Sequence, residues 1–317
     1  FTEAIRVRLA DVADVIDHEP LLQLNDERAA AVLPRVEILL TSWGCPAIDA
    51  DVLAKATQLK AVVHAAGTIK MHITDACWDR GIAVTSANAG NAIPVAEFTL
   101  ATILLANKRV FPMQQKYRQE RSFRWWPAEF PGLGNYRKTI GIVGASTIGR
   151  IVIDLLRPFA FRVLVFDPFL SAADAARLGV EQTALDELVA TSDVVSLHAP
   201  ALLETHHMID ARRLALMPHG ATLINTARGW LVDADALEKE LVAGRIFAVI
   251  DTTEPEVLPE ASPLYDLPNV FLTPHVAGAM GTETQRMAEL AVDEIERYAR
   301  GEPFHYAIRR EDLPRIA

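Results

Sequence analysis

Three residues in the C-terminal half of the sequence have types that suit acid–base chemistry on a small acid. They are Arg228 in NTARG, Glu256 in DTTEPE and His275 in TPHVAG. An arginine presents a planar fork that binds a carboxylate and polarises an adjacent carbonyl. A histidine exchanges a proton near neutral pH, and a neighbouring carboxylate orients its ring and favours its charged form. The set predicts proton transfer coupled to hydride transfer at a carbonyl, with His275 as acid and base.

Polar residues also follow five predicted strands, where they would share one edge of a parallel sheet. In a doubly wound sheet, ligands collect at the carboxyl ends of the strands. The residues at these ends are Asp167, His198, 225–228, 251–256 and His275. Taken singly, an arginine after a strand, a glutamate before a loop or a lone histidine is more often structural than catalytic. Together, beside a dinucleotide-binding turn, they favour chemistry.

The stretch 138–167 reads as strand, glycine turn, helix, strand and terminal acid, the βαβ unit that binds dinucleotides. The N-terminus of its helix presents free N–H groups and a partial positive charge to a pyrophosphate. Asp167 stands where a carboxylate accepts hydrogen bonds from the adenosine ribose, and its charge repels the 2′-phosphate of NADP. The pattern therefore predicts NAD as cofactor; a βαβ unit that only packs is the alternative.

The glycine turn departs from the usual G-x-G-x-x-G pattern, because it reads Gly144-Ala-Ser-Thr-Ile-Gly149. Ser146 occupies the middle glycine position; it is small, and its hydroxyl offers a donor to a phosphate oxygen. The same letters almost match the P-loop pattern, but Arg150 and Ile151 replace its lysine and its metal-binding hydroxyl. Nucleoside triphosphate hydrolysis is therefore not expected.

The composition is that of an ordinary globular protein of 317 residues, half of them hydrophobic, which is long enough for two domains. A formal net charge of -10 argues against nucleic acid or an anionic membrane as a partner. Cys45 and Cys77 give neither a disulfide framework nor a metal-ligand spacing, which favours a reducing cytoplasm and no metal. No apolar run approaches the length of about 18 residues that a membrane span needs, and no signal-peptide pattern starts the chain.

Two α/β units are predicted, joined by a long apolar helix over 93–110 with Pro94 in its first turn. The first has strands at 36–40, 61–63 and 82–84 and helices at 25–32, 49–57 and 74–80. The second has strands at 139–143, 162–166, 194–197, 221–224, 246–250 and 271–272, and helices at 148–159, 185–190, 210–216 and 233–243, the last closed by Gly244. The segment 111–137 is predicted to be a covering loop or subunit contact, in which Trp125 and Trp126 could also wall a pocket. A second long helix follows at 283–300.

Longer motifs extend the pattern along most of the chain. They are Val95-Ala-Glu97, the turn at 144–149, Leu197-His-Ala-Pro200, Glu204-Thr-His-His-Met208, Asn225-Thr-Ala-Arg-Gly229 with Val232-Asp233, and the segments around Glu256 and His275. In this order they resemble the D-isomer-specific 2-hydroxyacid dehydrogenase family, which includes phosphoglycerate, glyoxylate/hydroxypyruvate and formate dehydrogenases. The resemblance implies an NAD-dependent oxidoreductase that interconverts a small 2-oxo acid and its D-2-hydroxy acid.

The resemblance also implies a role for each matching residue. Arg228 would bind the carboxylate and keto oxygen of the substrate, His275 would be the acid/base, and Glu256 would be its partner. Asp251 would hold the nicotinamide carboxamide. The full cofactor-binding set is Gly144, Ser146, Thr147, Ile148, Gly149, Asp167, His198, Ala199, Pro200, Thr205, Thr226, Ala227, Arg228, Asp251, His275 and Gly278. The substrate-binding set is Ala66, Gly67, Thr68, Arg228 and His275.

The implied fold has two α/β domains with Rossmann-like and flavodoxin-like doubly wound parallel sheets, linked by two long hinge helices. Residues 1–109 plus 283–317 would form the flavodoxin-like substrate domain, and 110–282 the Rossmann domain that binds NAD. The resemblance further implies a homodimer built through the cofactor domain.

The chain departs from the family at the loop that receives the substrate carboxylate, normally Ala-Gly-x-Gly-x-Asp. Here Ile69 replaces a glycine and Lys70 adds a cation; Lys70 could attract a second acid group or be an ordinary solvated lysine. Glu256 disfavours formate as substrate, since formate dehydrogenases carry glutamine there. Two alternatives stay open: an NAD(H)-sensing corepressor-like protein on the same fold, and reduction of the same acids with NADP.

Overall fold

The computed structural model describes residues 1–315, which divide into two compact units. The first, here called the discontinuous unit, consists of Phe1–Asn91 and the described residues from Ala279 onward; the second, the central unit, is Ala92–Gly278. The domain boundaries predicted from the sequence lie after residues 109 and 282. The first division instead falls inside helix α5 (Asn88–Asn107), because Ala96 and Ile103 of this helix belong to the core of the central unit.

The discontinuous unit has a four-stranded sheet with helices around it. Its elements are α1 (Glu3–Val12), α2 (Glu27–Val32), β1 (Ile38–Thr41), α3 (Ala50–Lys55), β2 (Ala61–His64), α4 (Asp75–Asp79), β3 (Ala83–Ser86), the start of α5, α13 (Thr284–Ala299) and β11 (Ala307–Ile308). The strands lie in the order β1-β2-β3-β11, of which the first three are parallel and β11 is antiparallel to β3. All four residues of β2 are buried, as expected for a strand covered on both faces.

The central unit has a seven-stranded parallel sheet. Its elements are α6 (Val110–Glu120), α7 (Trp126–Glu129), β4 (Thr139–Val143), α8 (Thr147–Leu156), β5 (Arg162–Phe166), α9 (Ala172–Leu178), β6 (Glu181–Gln182), α10 (Leu185–Thr191), β7 (Val194–Leu197), α11 (Ala211–Leu216), β8 (Thr222–Asn225), α12 (Ala234–Val242), β9 (Phe247–Ile250) and β10 (Val270–Leu272). The strand order is β10-β9-β8-β7-β4-β5-β6. The order reverses between β4 and β7, which is the position where doubly wound sheets bind their ligands.

Two apolar clusters cover the two faces of this sheet. One contains Leu188, Leu197 and Leu223, and the other contains Ile140, Ile142 and Ile224. Ile224 and Leu223 are neighbours in β8 and point to opposite faces, as the two-residue period of a strand requires. The predicted α/β class with parallel sheets is confirmed.

The segment 111–137, predicted as a covering loop, begins with a helix, so that prediction was wrong for residues 111–120. Helix α6 forms because Phe111 stacks on Phe271 of β10, with ring centroids 4.0 Å apart, and because its remaining residues are mostly strong helix formers. Arg109, with φ of 53°, turns the chain between α5 and α6. Its half-buried guanidinium donates to the Gly220 carbonyl and, over 2.8 Å, to the Thr222 hydroxyl.

Helix α5 begins before the predicted start, at Asn88, so Pro94 lies inside the helix rather than in its first turn. The early start is stabilised by close packing of Gly90 against α13. A Cβ added at Gly90 would lie 3.0 Å from the Leu290 side chain and 3.2 Å from the Met287 side chain of that helix. Among the described residues, α5 is the one helix long and apolar enough to cross a membrane, with a mean hydropathy of 1.4 and half of that window buried. A core helix can have the same length and hydropathy as a membrane span, and Ala96 and Ile103 of α5 have no exposed surface.

Candidate active site

His275 and Glu256 form a close pair in the central unit. The Nδ1 atom of His275 lies 2.5 Å from Oε1 of Glu256, and both side chains are about half exposed, at 46% and 58%. Because Nδ1 is engaged by the carboxylate, Nε2 is the ring atom left to exchange a proton with a ligand. The predicted pairing of these two residues across 19 positions of sequence is present.

Asp251, at the end of β9, fixes the backbone around His275. It is 2% exposed, and its carboxylate accepts hydrogen bonds from the Thr273 hydroxyl (2.6 Å) and from the backbone N–H groups of Val276 (2.8 Å) and Ala277 (2.9 Å). The N–H of His275 donates to the Asp251 carbonyl over 2.9 Å. These bonds hold His275 at a φ of 56°, a conformation that is uncommon for a residue with a side chain. The sequence suggested a cofactor contact for Asp251 but not this positioning of the His275 loop.

Arg228 follows β8 and is half-buried. Burial lowers the pKa of its guanidinium, and the charge of Glu256 opposes that shift, which places Arg228 within electrostatic reach of the same carboxylate that contacts His275. The turn after β8 is tied together by Asn225, whose side-chain amide donates to the Arg228 carbonyl over 2.8 Å. Asn225 was among the candidates at the strand ends, but the sequence did not show that its side chain shapes the turn that carries Arg228.

Gly229 is required where this turn meets the loop that carries Glu256. A Cβ added at Gly229 would overlap the backbone of Thr253 and Glu254. Only glycine therefore allows the residue after Arg228 to pack against the segment leading to Glu256. In the sequence, the glycine that ends the NTARG motif is the feature that indicates this close backbone contact.

The predicted dinucleotide turn connects β4 to α8. Gly144 has φ of 98°, and a Cβ there would lie 2.8 Å from the backbone of His198 and Ala199 at the end of β7. A Cβ at Gly149 would overlap the Gly144 carbonyl oxygen. The two glycines therefore let the turn, the helix and the neighbouring strand end approach closely, as a pyrophosphate-binding turn requires.

Ser146 is the N-cap of α8, yet its side chain makes no capping hydrogen bond to that helix. Its hydroxyl instead donates to the His198 carbonyl over a long 3.4 Å. Thr147 and Ile148 are the first two residues of the helix, so their backbone N–H groups have no acceptor within that helix. The helix start is therefore suited to an anion, as predicted.

Asp167 follows β5 and faces this turn. Its carboxylate accepts from the N–H groups of Ala145 (2.7 Å) and Phe169 (2.8 Å), which fixes its position at the switch point of the sheet. A carboxylate has about four acceptor sites, so two donors leave capacity for a ribose hydroxyl.

The other predicted cofactor residues lie at the ends of β7, β8 and β10. The Thr205 hydroxyl donates to the Pro200 carbonyl over 2.6 Å, and the Thr226 hydroxyl lies 3.1 Å from that of Thr99. Both contacts shape the backbone beside the strand ends. Ala199, Ala227 and Gly278 have no polar side chain, so only their backbone could form hydrogen bonds with a ligand.

The predicted substrate residues Ala66, Gly67 and Thr68 belong to the discontinuous unit, in the loop after β2. The Ser86 hydroxyl donates to the Gly67 carbonyl over 2.5 Å and shapes this loop. Ile69, which replaces a family glycine, has no exposed surface and packs into the core of its unit. Its side chain is thus an anchor for the loop rather than a pocket wall.

Two buried histidines should make the protein sensitive to acid. Burial lowers the pKa of His198 from 6.5 to about 3, and burial together with the nearby His72 lowers the pKa of His64 to about 4. Both are neutral in the fold, so protons bind the unfolded chain preferentially below pH 6.5, and stability that is full above that pH is lost on acidification. We expect the free energy of unfolding to fall by up to about 1.4 kcal/mol per pH unit for each histidine.

Urea unfolding followed by circular dichroism at several pH values between neutral and mildly acidic checks this expectation. In His198→Asn, the free energy of unfolding should depend less steeply on pH than in the native protein, whatever the effect of the substitution on stability at neutral pH. The exposed His219→Asn is the matched control and should keep the native slope. An unchanged slope in His198→Asn would show that this histidine does not contribute.

Comparison with known proteins gives a consistent result. Residues 100–277 match the family model described as D-isomer specific 2-hydroxyacid dehydrogenase, NAD binding domain. The chain is 35% identical over 276 residues to a D-3-phosphoglycerate dehydrogenase of Mycobacterium tuberculosis, covering 86% of this chain and 51% of that protein. It is 36% identical over 258 residues to a glyoxylate reductase of Korarchaeum cryptofilum, covering 80% and 77%. The chain thus spans about half the length of the curated phosphoglycerate dehydrogenases that it matches.

Solved structures show the same likeness. A D-lactate dehydrogenase of Treponema pallidum superposes with a TM-score of 0.78 at 27% identity, covering 98% of both chains. A D-lactate dehydrogenase of Aquifex aeolicus, solved with NAD and lactic acid, superposes with a TM-score of 0.69 at 30% identity, covering 86% of both chains.

Proposed function

Since the chain belongs to the D-isomer specific 2-hydroxyacid dehydrogenase family, we propose that it is an NAD-dependent oxidoreductase that interconverts a small 2-oxo acid and its D-2-hydroxy acid. Its matched region is an NAD binding domain. The observation that carries the proposal is the contact of 2.5 Å between Glu256 and His275, with Arg228 within electrostatic reach of that glutamate. In this proposal they are the acid/base, its carboxylate partner and the substrate-carboxylate binder, and they come from three separate loops.

When bound, the reduced cofactor NADH would supply a hydride from C4 of its nicotinamide in reduction, and NAD⁺ would accept one in oxidation. Arg228 binds the substrate carboxylate and polarises the C2 carbonyl. His275 donates a proton from Nε2 to the carbonyl oxygen during reduction and accepts it back from the hydroxyl during oxidation. Glu256 orients the ring and stabilises its charged form. Asp251 keeps the His275 loop in place through its three hydrogen bonds.

The dinucleotide turn supports NAD as the cofactor over NADP. The residues proposed to bind it are Gly144, Ser146, Thr147, Ile148, Gly149 and Asp167 at the turn, with His198, Ala199, Pro200, Thr205, Thr226, Ala227, Asp251 and Gly278 at the other strand ends. The carboxylate of Asp167 is held at the switch point and would repel a 2′-phosphate.

We therefore expect kcat/KM to be much higher with NADH than with NADPH, by roughly tenfold for each 1.4 kcal/mol of repulsion. Asp167→Ser should lower kcat/KM for NADH and raise it for NADPH, whereas Asp174→Ser on the nearby α9 is a control that should leave the ratio native. Equal use of both cofactors by the native protein would contradict the role of Asp167.

A panel of 2-oxo acids tests the activity itself. Glyoxylate, hydroxypyruvate and bulkier 2-oxo acids would be mixed with NADH, and NADH oxidation would be followed by absorbance, with the chirality of the product determined. The proposal predicts turnover of at least one acid to its D-isomer. Inactivity across the panel together with tight NADH binding would instead favour an NAD(H)-sensing protein, an alternative that gains no support from the relatives reported above.

We further propose that the discontinuous unit supplies substrate contacts through Ala66, Gly67 and Thr68.

We also propose that the protein acts in the cytoplasm as a homodimer. The exposed aromatic side chains of Phe123 (86%) and Trp125 (73%) in the central unit support a subunit contact there. Sedimentation equilibrium should give twice the chain mass of 34.8 kDa, and a mass of one chain would contradict the dimer.

A further inference from the structure

Two consecutive histidines and a glutamate outside the proposed catalytic set converge on the surface of the central unit. The rings of His206 and His207 are stacked, with centroids 3.8 Å apart and planes 24° apart. One ligand atom from each of His206, His207 and Glu254 lies within 4.8 Å of the others. Ligands of a tetrahedral zinc ion at about 2.0–2.2 Å stand roughly 3.3 Å from one another, so small side-chain rotations would bring all three onto one ion.

The backbone explains why the two rings share one side of the chain. In an extended segment, successive side chains point to opposite sides. His207 instead has φ of 47°, in the left-handed region, and its N–H donates to the Trp230 carbonyl over 3.0 Å. The indole of Trp230 lies 4.0 Å from the His206 ring, and its N–H is fixed by the Leu202 carbonyl over 2.7 Å. These contacts fix the backbone of the pair and the side of the chain on which both rings lie.

Glu254 reaches this pair because its backbone is packed against Gly229, where a Cβ would overlap it. The loop is further held by the Thr253 hydroxyl, whose single proton is shared between the carbonyls of Pro255 (2.7 Å) and Glu256 (2.9 Å). The glutamate is therefore presented by a structured turn and lies two residues before the partner of His275.

We propose that His206, His207 and Glu254 form a binding site for one divalent transition-metal ion, for which Zn²⁺ is the probe. Two imidazoles and one carboxylate suit zinc, nickel or copper, whereas magnesium and calcium prefer oxygen ligands throughout. Three protein ligands leave a fourth position for water. His206 and Glu254 are exposed, so the ion would exchange with solvent and act as a reversible effector.

The location gives the ion a consequence for the neighbouring site. An ion bound to Glu254 and the two histidines would clamp the segment that carries Glu256 and add positive charge two residues along the chain from that carboxylate. We expect it to slow reduction by about fivefold or more, the lower end of common coupling free energies. This consequence rests on the proposed function, whereas binding of the ion does not.

Calorimetric titration of the tag-free, chelator-treated full chain with ZnCl₂ tests the binding. The native protein should bind about one ion per chain, and bound Co²⁺ should show the ligand-field absorption of a nitrogen- and oxygen-coordinated site. His206→Gln and Glu254→Gln should each weaken binding at least tenfold, the effect that loss of even an outer-shell partner produces. His219→Gln, which changes an exposed histidine of the same unit, should bind as the native protein does.

Two results would overturn the site. Equal zinc affinity in the native protein and His206→Gln would exclude these ligands, and binding that is lost only in His275→Ala would place the ion at the catalytic pair. Circular dichroism shows whether each variant is folded, and Glu254→Gln serves if His206→Gln is not. If binding follows the expected pattern but the native protein has no reductase activity, the metal site stands and the proposed function fails.

Discussion

Replacing His275 with alanine should lower turnover by roughly 10²–10⁴-fold, the range that removal of a general acid produces. The proton delivered to the carbonyl oxygen would then come from water, without the pre-oriented donor that Glu256 holds at 2.5 Å. Binding of NADH should stay close to native, because the dinucleotide turn is formed by the β4–α8 connection and Asp167 rather than by His275.

Steady-state kinetics with the best 2-oxo acid, and a fluorescence titration with NADH, measure the two effects separately. His219→Ala removes an exposed histidine of the same unit and should keep native turnover. Glu256→Gln should show a smaller loss than His275→Ala, because the ring would remain but lose its charged partner. Near-native turnover of His275→Ala would remove this residue from the mechanism.

Replacing Arg228 with lysine should lower kcat/KM for the 2-oxo acid by roughly 10²-fold or more. Lysine keeps the charge but loses the planar fork, and each charge-assisted hydrogen bond lost costs about 1.5–3 kcal/mol. The loss should appear in both KM and kcat if the guanidinium binds the carboxylate and also polarises the carbonyl.

Arg212→Lys is the matched control, since Arg212 forms an exposed ion pair with Asp186 at 2.7 Å in the same unit. It should leave kcat/KM native. A native kcat/KM in Arg228→Lys would show that the residue acts only as a point charge or does not touch the substrate.

The parts of the fold that were predictable are those with strong local signals. The bounds of β4, β5 and β7 are those read from their apolar runs, because buried parallel strands carry continuous β-branched segments. Helix α6 was missed because its polar, aromatic and proline-containing sequence resembles a loop, and its formation depends on the contact between Phe111 and Phe271. Strand β11 was missed because its two residues pair with β3, more than 200 positions away in sequence.

The candidate site likewise has features that the sequence predicts and features that it does not. The types of Arg228, Glu256 and His275 and their positions after strands select them as candidates, and the structure brings Glu256 and His275 into contact. The hydrogen bonds that Asp251 accepts from the His275 loop depend on the three-dimensional path of the chain, which no spacing in the sequence encodes. The convergence of Glu254 on His206 and His207 likewise depends on the absence of a Cβ at Gly229.

A crystal structure of the protein with NAD and the unreactive 2-oxo acid analogue oxamate would test the central claim most directly. The account predicts that the carboxylate of oxamate lies within hydrogen-bond distance of the Arg228 guanidinium, and that its C2 oxygen lies about 2.6–3.2 Å from Nε2 of His275. Oxamate bound to the NAD complex at a position that touches neither Arg228 nor His275 would contradict it.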